Sequence, residues 1–214
     1  VASHGPELLA IAKENNVNFL FEASVGGGIP IIRPLNTSIT ADEVTEITGI
    51  LNGTTNYILT KMDQEGASYD EVLKQAQDLG YAERNPEADV EGGDACRKIA
   101  ILTSIVYGKH LDYTKIHTEG ITKISTEDFK YADALGVSIK LVGTTKKEGD
   151  TLYSFVAPMM LDENHPLSGI HDVFNGIFVH GNVVDDIMFY GRGAGKLPTA
   201  SAVVSDVVDE VKHM

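Results

Sequence analysis

Between Tyr81 and Lys98 the chain reads YAERNPEADVEGGDACRK, a loop crowded with acidic side chains that gives way to a helical pattern carrying a lysine. The pair Gly92-Gly93 permits a tight turn, Asp94 suits a helix amino end, and Ala95, Ile99, Leu102, Ile105 and Val106 recur at helical spacing. A helix from Asp94 to Tyr107, started beside an acidic loop, is therefore expected, and the rest of the fold must be arranged around it. Asp94 and Lys98 stand one turn apart on one face. A lysine held among carboxylates can deliver a proton to a polar substrate atom, while neighbouring carboxylates can grip an ammonium group, so the pattern suits a pocket for a small amino acid. The same residues also describe an amphipathic helix whose Asp94 and Lys98 form a solvated ion pair.

The flanking sequence supplies further elements. Residues 4 to 14 read as a helix, Asn18 to Ser24 as a short strand ended by a glycine cluster, and Ile29 to Leu35 as a short helix starting near Pro30. Val44 to Leu51 alternates as a strand does, and Thr54 to Gln64 reads as the helix that follows it. Tyr69 to Leu79 is a helix stopped at Gly80, and further helices are expected at Tyr113 to Glu119 and Thr126 to Leu135. Four β-like runs follow, at Ser138 to Thr145, Leu152 to Met160, Gly176 to Val184 and Asp185 to Tyr190; the turn Lys147-Glu148-Gly149-Asp150 makes the first two a hairpin. Pro198 begins a last helix. The fold class is α+β, a mixed β-sheet covered by helices.

Charge and cysteine usage narrow the function. A formal charge of −14 argues against nucleic acid and anionic membrane as partners, because phosphate binding draws on Lys and Arg. No apolar run approaches a membrane span of about 18 residues. The single Cys96 forms no internal disulfide and suits a reducing compartment, so a cytoplasmic protein is expected. Cys96 lies two residues from both Asp94 and Lys98, roughly 200° around the helix, which points it away from them and against a cysteine nucleophile. The seven histidines show no paired spacing of a zinc site. Gly53-Thr54-Thr55 falls where a strand passes into a helix, so its N–H groups and the Thr54 hydroxyl could receive a carboxylate, or Thr54 could simply cap the helix.

Four stretches in one order resemble homoserine dehydrogenase: Glu83-x5-Asp89-x4-Asp94-x3-Lys98 with Gly80-Tyr81-Ala82 before it, Phe21 to Ile32 with Gly26-Gly27-Gly28, Gly49 to Ile58, and Gly191 to Gly195. The resemblance runs over nearly the whole chain. It implies an oxidoreductase that reversibly reduces L-aspartate 4-semialdehyde to L-homoserine with NADP or NAD, in threonine, methionine and isoleucine biosynthesis. By this resemblance Lys98 and Asp94 are catalytic, and Glu83, Asp89, Asp94, Tyr81, Gly53 and Thr54 bind substrate. Gly195 lies beside the cofactor, and a monovalent cation, sodium, sits on the Glu22 carboxylate and the carbonyls of Val25, Gly27 and Ile29. Arg192 is expected to meet a phosphate or form a surface salt bridge. A homodimer paired through the sheets is also implied.

No strand, Gly-rich turn and helix in the dinucleotide-binding order is found in the chain. Residues 1–30 are accordingly expected to be the end of such a domain, its last helix and strand. Residues 31–190 are the substrate-binding, catalytic and dimerisation domain, and residues 191–214 a glycine loop and helix returning toward the cofactor. Without the cofactor domain the chain is expected not to turn over. The alternative is a non-catalytic small-molecule binding or dimerisation module.

Overall fold

The computed structural model describes residues 1–213. Helix α1 (Gly5–Glu14) starts at Pro6 and leads through an irregular segment into a 3₁₀ turn at Glu22–Ser24. Then follow α2 (Ile32–Thr37), β1 (Val44–Ile50), α3 (Gly53–Glu65), α4 (Tyr69–Asp78), α5 (Glu87–Val90) and α6 (Gly93–Tyr107). The second half holds β2 (His117–Thr118), α7 (Thr126–Leu135), β3 (Val137–Glu148), β4 (Thr151–Asp162), β5 (Phe174–Gly181), β6 (Asp185–Arg192) and α8 (Lys196–His213). The α+β class expected from the sequence is found.

The strands form one six-stranded sheet in the order β2-β4-β3-β1-β5-β6. All neighbours are antiparallel except the short edge pair β2 and β4, which makes the sheet mixed. The β3–β4 hairpin closes between Glu148 and Thr151, over the turn expected there. One face, carrying Ile139 and Leu141, is buried with Ile58, Leu59, Ile99 and Leu102 of α3 and α6. On the opposite face a smaller cluster of Ile50, Val142 and Phe178 is covered by Leu161, Leu167 and Ile170. Side chains alternate across a strand, so Tyr153, Met159, Met188 and Tyr190 stand on that second face, where they are exposed.

Two expected elements differ. The strand expected at Asn18 to Ser24 is irregular backbone and then a 3₁₀ turn, because no strand among the described residues lies beside it to take its ladder hydrogen bonds. The helix expected at Tyr113 to Glu119 is a 3₁₀ turn (Tyr113–Lys115) followed by β2. There the Asp112 side chain accepts from Thr114 N–H, and His117 and Thr118 pair with Phe155 and Val156. Local capping and a distant strand outcompete the helix.

The carboxy-terminal helix packs back against the start of the chain. Asp206 accepts from Glu22 N–H at 2.9 Å and pairs with Arg33 at 2.7 Å, and Asn18 donates to Glu210. Gly193 presses on Gly27 so closely that a Cβ on Gly27 would stand 2.5 Å from the Gly193 carbonyl oxygen. The two glycine loops therefore meet backbone to backbone.

Candidate active site

The amino ends of α3 and α6 arrive side by side, and Asn52 joins them. Its Oδ1 accepts from Thr55 N–H at 2.9 Å, capping α3, while its Nδ2 donates to Asp89 Oδ1 at 2.8 Å and Asp94 Oδ2 at 2.9 Å. Asn52, not Thr54, is thus the cap. Sequence reasoning gave Asn52 no role; its place just before a helix signals a cap, but the two carboxylates come from another part of the chain.

Lys98 lies in this cluster. Its Nζ donates to Asp94 Oδ2 at 2.7 Å and to the Leu51 carbonyl at 2.9 Å, and its side chain is 18% exposed. The lysine is held between one carboxylate and one carbonyl, and it retains a third N–H to offer. Burial raises the Asp89 carboxyl above its ordinary range; Asn52 opposes this, Asp94 and Glu83 add to it, and Lys98 lowers it. Glu83 therefore acts within electrostatic reach of Asp89, although its own side chain is exposed.

Thr54 and Tyr81 join the same region. The Thr54 hydroxyl donates to the Tyr81 carbonyl at 2.7 Å, and the Tyr81 ring packs edge-on against Tyr57. In this arrangement the hydroxyl proton is spent on Tyr81. The N–H groups of Gly53 and Thr54 donate no hydrogen bond among the described residues. They face outward from the positive end of α3, where an anion is stabilised.

Glu22 is 4% exposed, and its carboxylate accepts from the N–H groups of Ile31, Ile32 and Arg33 at 2.7, 2.8 and 2.8 Å. It caps α2 with three of its roughly four acceptor sites, two on Oε1 and one on Oε2. The carbonyls of Val25, Gly27 and Ile29 accept no hydrogen bond among the described residues, which suits a hard cation. Gly195, at φ +124°, precedes α8, and the N–H groups of Gly193, Ala194 and Gly195 likewise donate to nothing described. Such free donors, closely backed by Gly27, fit a cofactor with polar oxygens. Arg192 stacks over Phe174 at 5.2 Å instead of forming the expected salt bridge. Cys96 is buried and donates to the Tyr113 carbonyl, away from Lys98.

A groove of about 540 Å³ lies elsewhere, lined by Leu9, Phe19, Phe21, Ile101 and Ile105 among others. It contains none of Asp89, Asp94 or Lys98. The Lys98 cluster instead gathers a lysine with an uncommitted N–H, acidic side chains and helix N–H groups without a partner among the described residues.

The lysine–carboxylate cluster thus lies at two helix amino ends on a helix-covered mixed sheet. The profile of the homoserine dehydrogenase family matches residues 30–208, and the chain belongs to that family. It is 48% identical to homoserine dehydrogenase of Bacillus subtilis over 214 residues, all of this chain and 49% of that protein. The solved homoserine dehydrogenase of Thiobacillus denitrificans matches with a TM-score of 0.96 at 42% identity, over 98% of this chain and 49% of that one. A hyperthermophilic archaeal homoserine dehydrogenase in complex with NADPH matches with a TM-score of 0.85 at 29% identity, over 100% of this chain and 61% of that one. The chain spans about half the length of the curated relatives it matches. No helix among the described residues is long and apolar enough to cross a membrane.

Proposed function

We propose that this chain is the substrate-binding and catalytic part of an enzyme that reversibly reduces L-aspartate 4-semialdehyde to L-homoserine. The observation that carries the reading is the Lys98 ammonium, fixed at 2.7 Å by Asp94 in a carboxylate cluster tied by Asn52 to the amino end of α3. In the reduction an alkoxide develops at the former aldehyde carbon, and Lys98 donates a proton or a strong hydrogen bond to that oxygen. Asp94 keeps the ammonium aimed. Glu83 binds the substrate ammonium with the Tyr81 carbonyl, Asp89 adds negative charge, and the Gly53 and Thr54 N–H groups take the carboxylate. NADP or NAD, when bound, supplies or accepts the hydride, and the loop ending at Gly195 stands next to it.

A monovalent cation, sodium, is proposed on the carbonyls of Val25, Gly27 and Ile29, with Glu22 lending charge from its place as the α2 cap. Residues 1–30 and 191–214 belong with the cofactor half, and residues 31–190 carry the substrate site; the contact of α8 with Glu22 supports that division. A cytoplasmic homodimer is proposed to pair through the exposed sheet face of Tyr153, Met159, Met188 and Tyr190. Calorimetry of the full-length enzyme tests the substrate site. Homoserine is expected to release heat on binding wild type and to bind Glu83→Ala at least tenfold more weakly; equal binding by both removes the site.

A further inference from the structure

Asn175 is completely buried, yet neither oxygen nor nitrogen of its carboxamide has a hydrogen-bond partner among the described residues. Leucine would fill the same volume without stranding a donor and an acceptor, so a polar residue here is unfavourable unless another state of the molecule engages it. The location says which state. Asn175 is the second residue of β5, paired with Gly191, and its side chain points to the helix-covered face with Ile177 and Val179. A Cβ on Gly193 would lie 2.1 Å from Asn175 Cγ and Nδ2, so the glycine loop rests directly on the carboxamide. A Cβ on Gly53 would lie 3.6 Å from Asn175 Oδ1, which brings the amino end of α3 to the other side of the same group. The amide thus stands between the loop proposed to meet the cofactor and the helix end proposed to meet the substrate. The N–H groups of Gly193, Ala194 and Gly195 next to it are themselves uncommitted among the described residues.

We propose that Asn175 is a positioning residue for hydride transfer: its carboxamide holds the Gly193–Gly195 backbone in register with the amino end of α3 once both ligands are bound. The inference rests on the site reading above. Asn175 touches neither ligand; it fixes the distance between the two loops that do. Reacting atoms must meet within a few tenths of an ångström, so loosening that distance slows the chemical step more than it weakens either binding event.

The test uses the full-length enzyme with homoserine and NADP, comparing wild type, Asn175→Leu and Asn175→Asp. Asn175→Leu is expected to melt no lower than wild type and to lose at least tenfold in kcat, with each KM within threefold. Asn175→Asp is expected to work while its carboxyl is protonated, when it is both donor and acceptor like the amide. Its kcat is then lost as pH rises through that ionisation while the variant, though its melting temperature falls with the same pH change, stays folded at the assay temperature by circular dichroism. Wild-type kcat in Asn175→Leu, or a rate loss matched by loss of folded protein in both variants, overturns the proposal and leaves the site reading intact. Absence of homoserine oxidation by wild type itself overturns both.

Discussion

Replacing Asn52 with alanine removes the cap on Thr55 N–H, the two bonds donated to Asp89 and Asp94, and a contact from the Thr55 hydroxyl, which keeps the Asn52 backbone carbonyl as an acceptor. Losing a side-chain cap costs about 1 kcal/mol. Each bond to a carboxylate is worth about 1.5–3 kcal/mol when sheltered; Asp94 is 31% exposed, so water replaces part of it and about 1 kcal/mol each is the fair figure. The sum, about 3 kcal/mol, is roughly a hundredfold in an opening equilibrium. Amide hydrogen exchange in the full-length enzyme reads this directly, on peptides from residues 53–65. Protection there should fall about a hundredfold in Asn52→Ala. In Asn52→Asp the cap survives, but both Nδ2 bonds are replaced by a third carboxylate, so protection should stay well below wild type. A loss under threefold in Asn52→Ala, or full recovery in Asn52→Asp, would refute the view that Asn52 ties the two helix ends together.

Two further expectations concern buried groups outside the site. Burial lowers the Lys140 ammonium to about 8, with Asp63 and Asp172 opposing, while its Nζ donates to the Ile170 carbonyl. A base whose folded value is depressed adds stability above its unfolded value, near 10.5, that is lost as pH falls through about 8. Unfolding free energies of the full-length enzyme from urea titrations should therefore rise between these pH values by roughly 3 kcal/mol more than in Lys140→Met; parallel curves would exclude this. The Tyr107 hydroxyl is buried without a partner among the described residues, and burial raises its ionisation to about 12. Tyr107→Phe should stabilise the protein by about 1 kcal/mol in the same measurement, and a loss of that size would show that the hydroxyl is engaged.

What could be read from the sequence was whatever is settled within about fifteen residues. Apolar spacing from Ala95 to Val106 and the glycine pair before it mark α6, and the Lys147 to Asp150 turn marks the β3–β4 hairpin. Asp94 and Lys98 share one turn, so their contact followed from helix geometry alone. Misread elements depend on distant partners. His117 and Thr118 become a strand only because β4 presents Phe155 and Val156, and Asn18 to Ser24 has no neighbouring strand. Among site residues, Glu22 was placed by resemblance, which did not show that its carboxylate accepts from the N–H groups of Ile31, Ile32 and Arg33. Asn52 signals locally only a helix cap and Asn175 signals nothing, because the carboxylates of Asp89 and Asp94 and the glycines 193 and 53 come from distant parts of the chain.

Single-turnover hydride transfer in the full-length enzyme, followed by reduced-nicotinamide absorbance, bears most directly on the site. With homoserine and NADP saturating, Lys98→Ala should fall about 10²–10³-fold below wild type, the loss expected when a donor to a developing charge is removed. Lys98→Ala turning over at the wild-type rate would show that the Asp94-held ammonium is a surface ion pair with no part in the chemistry.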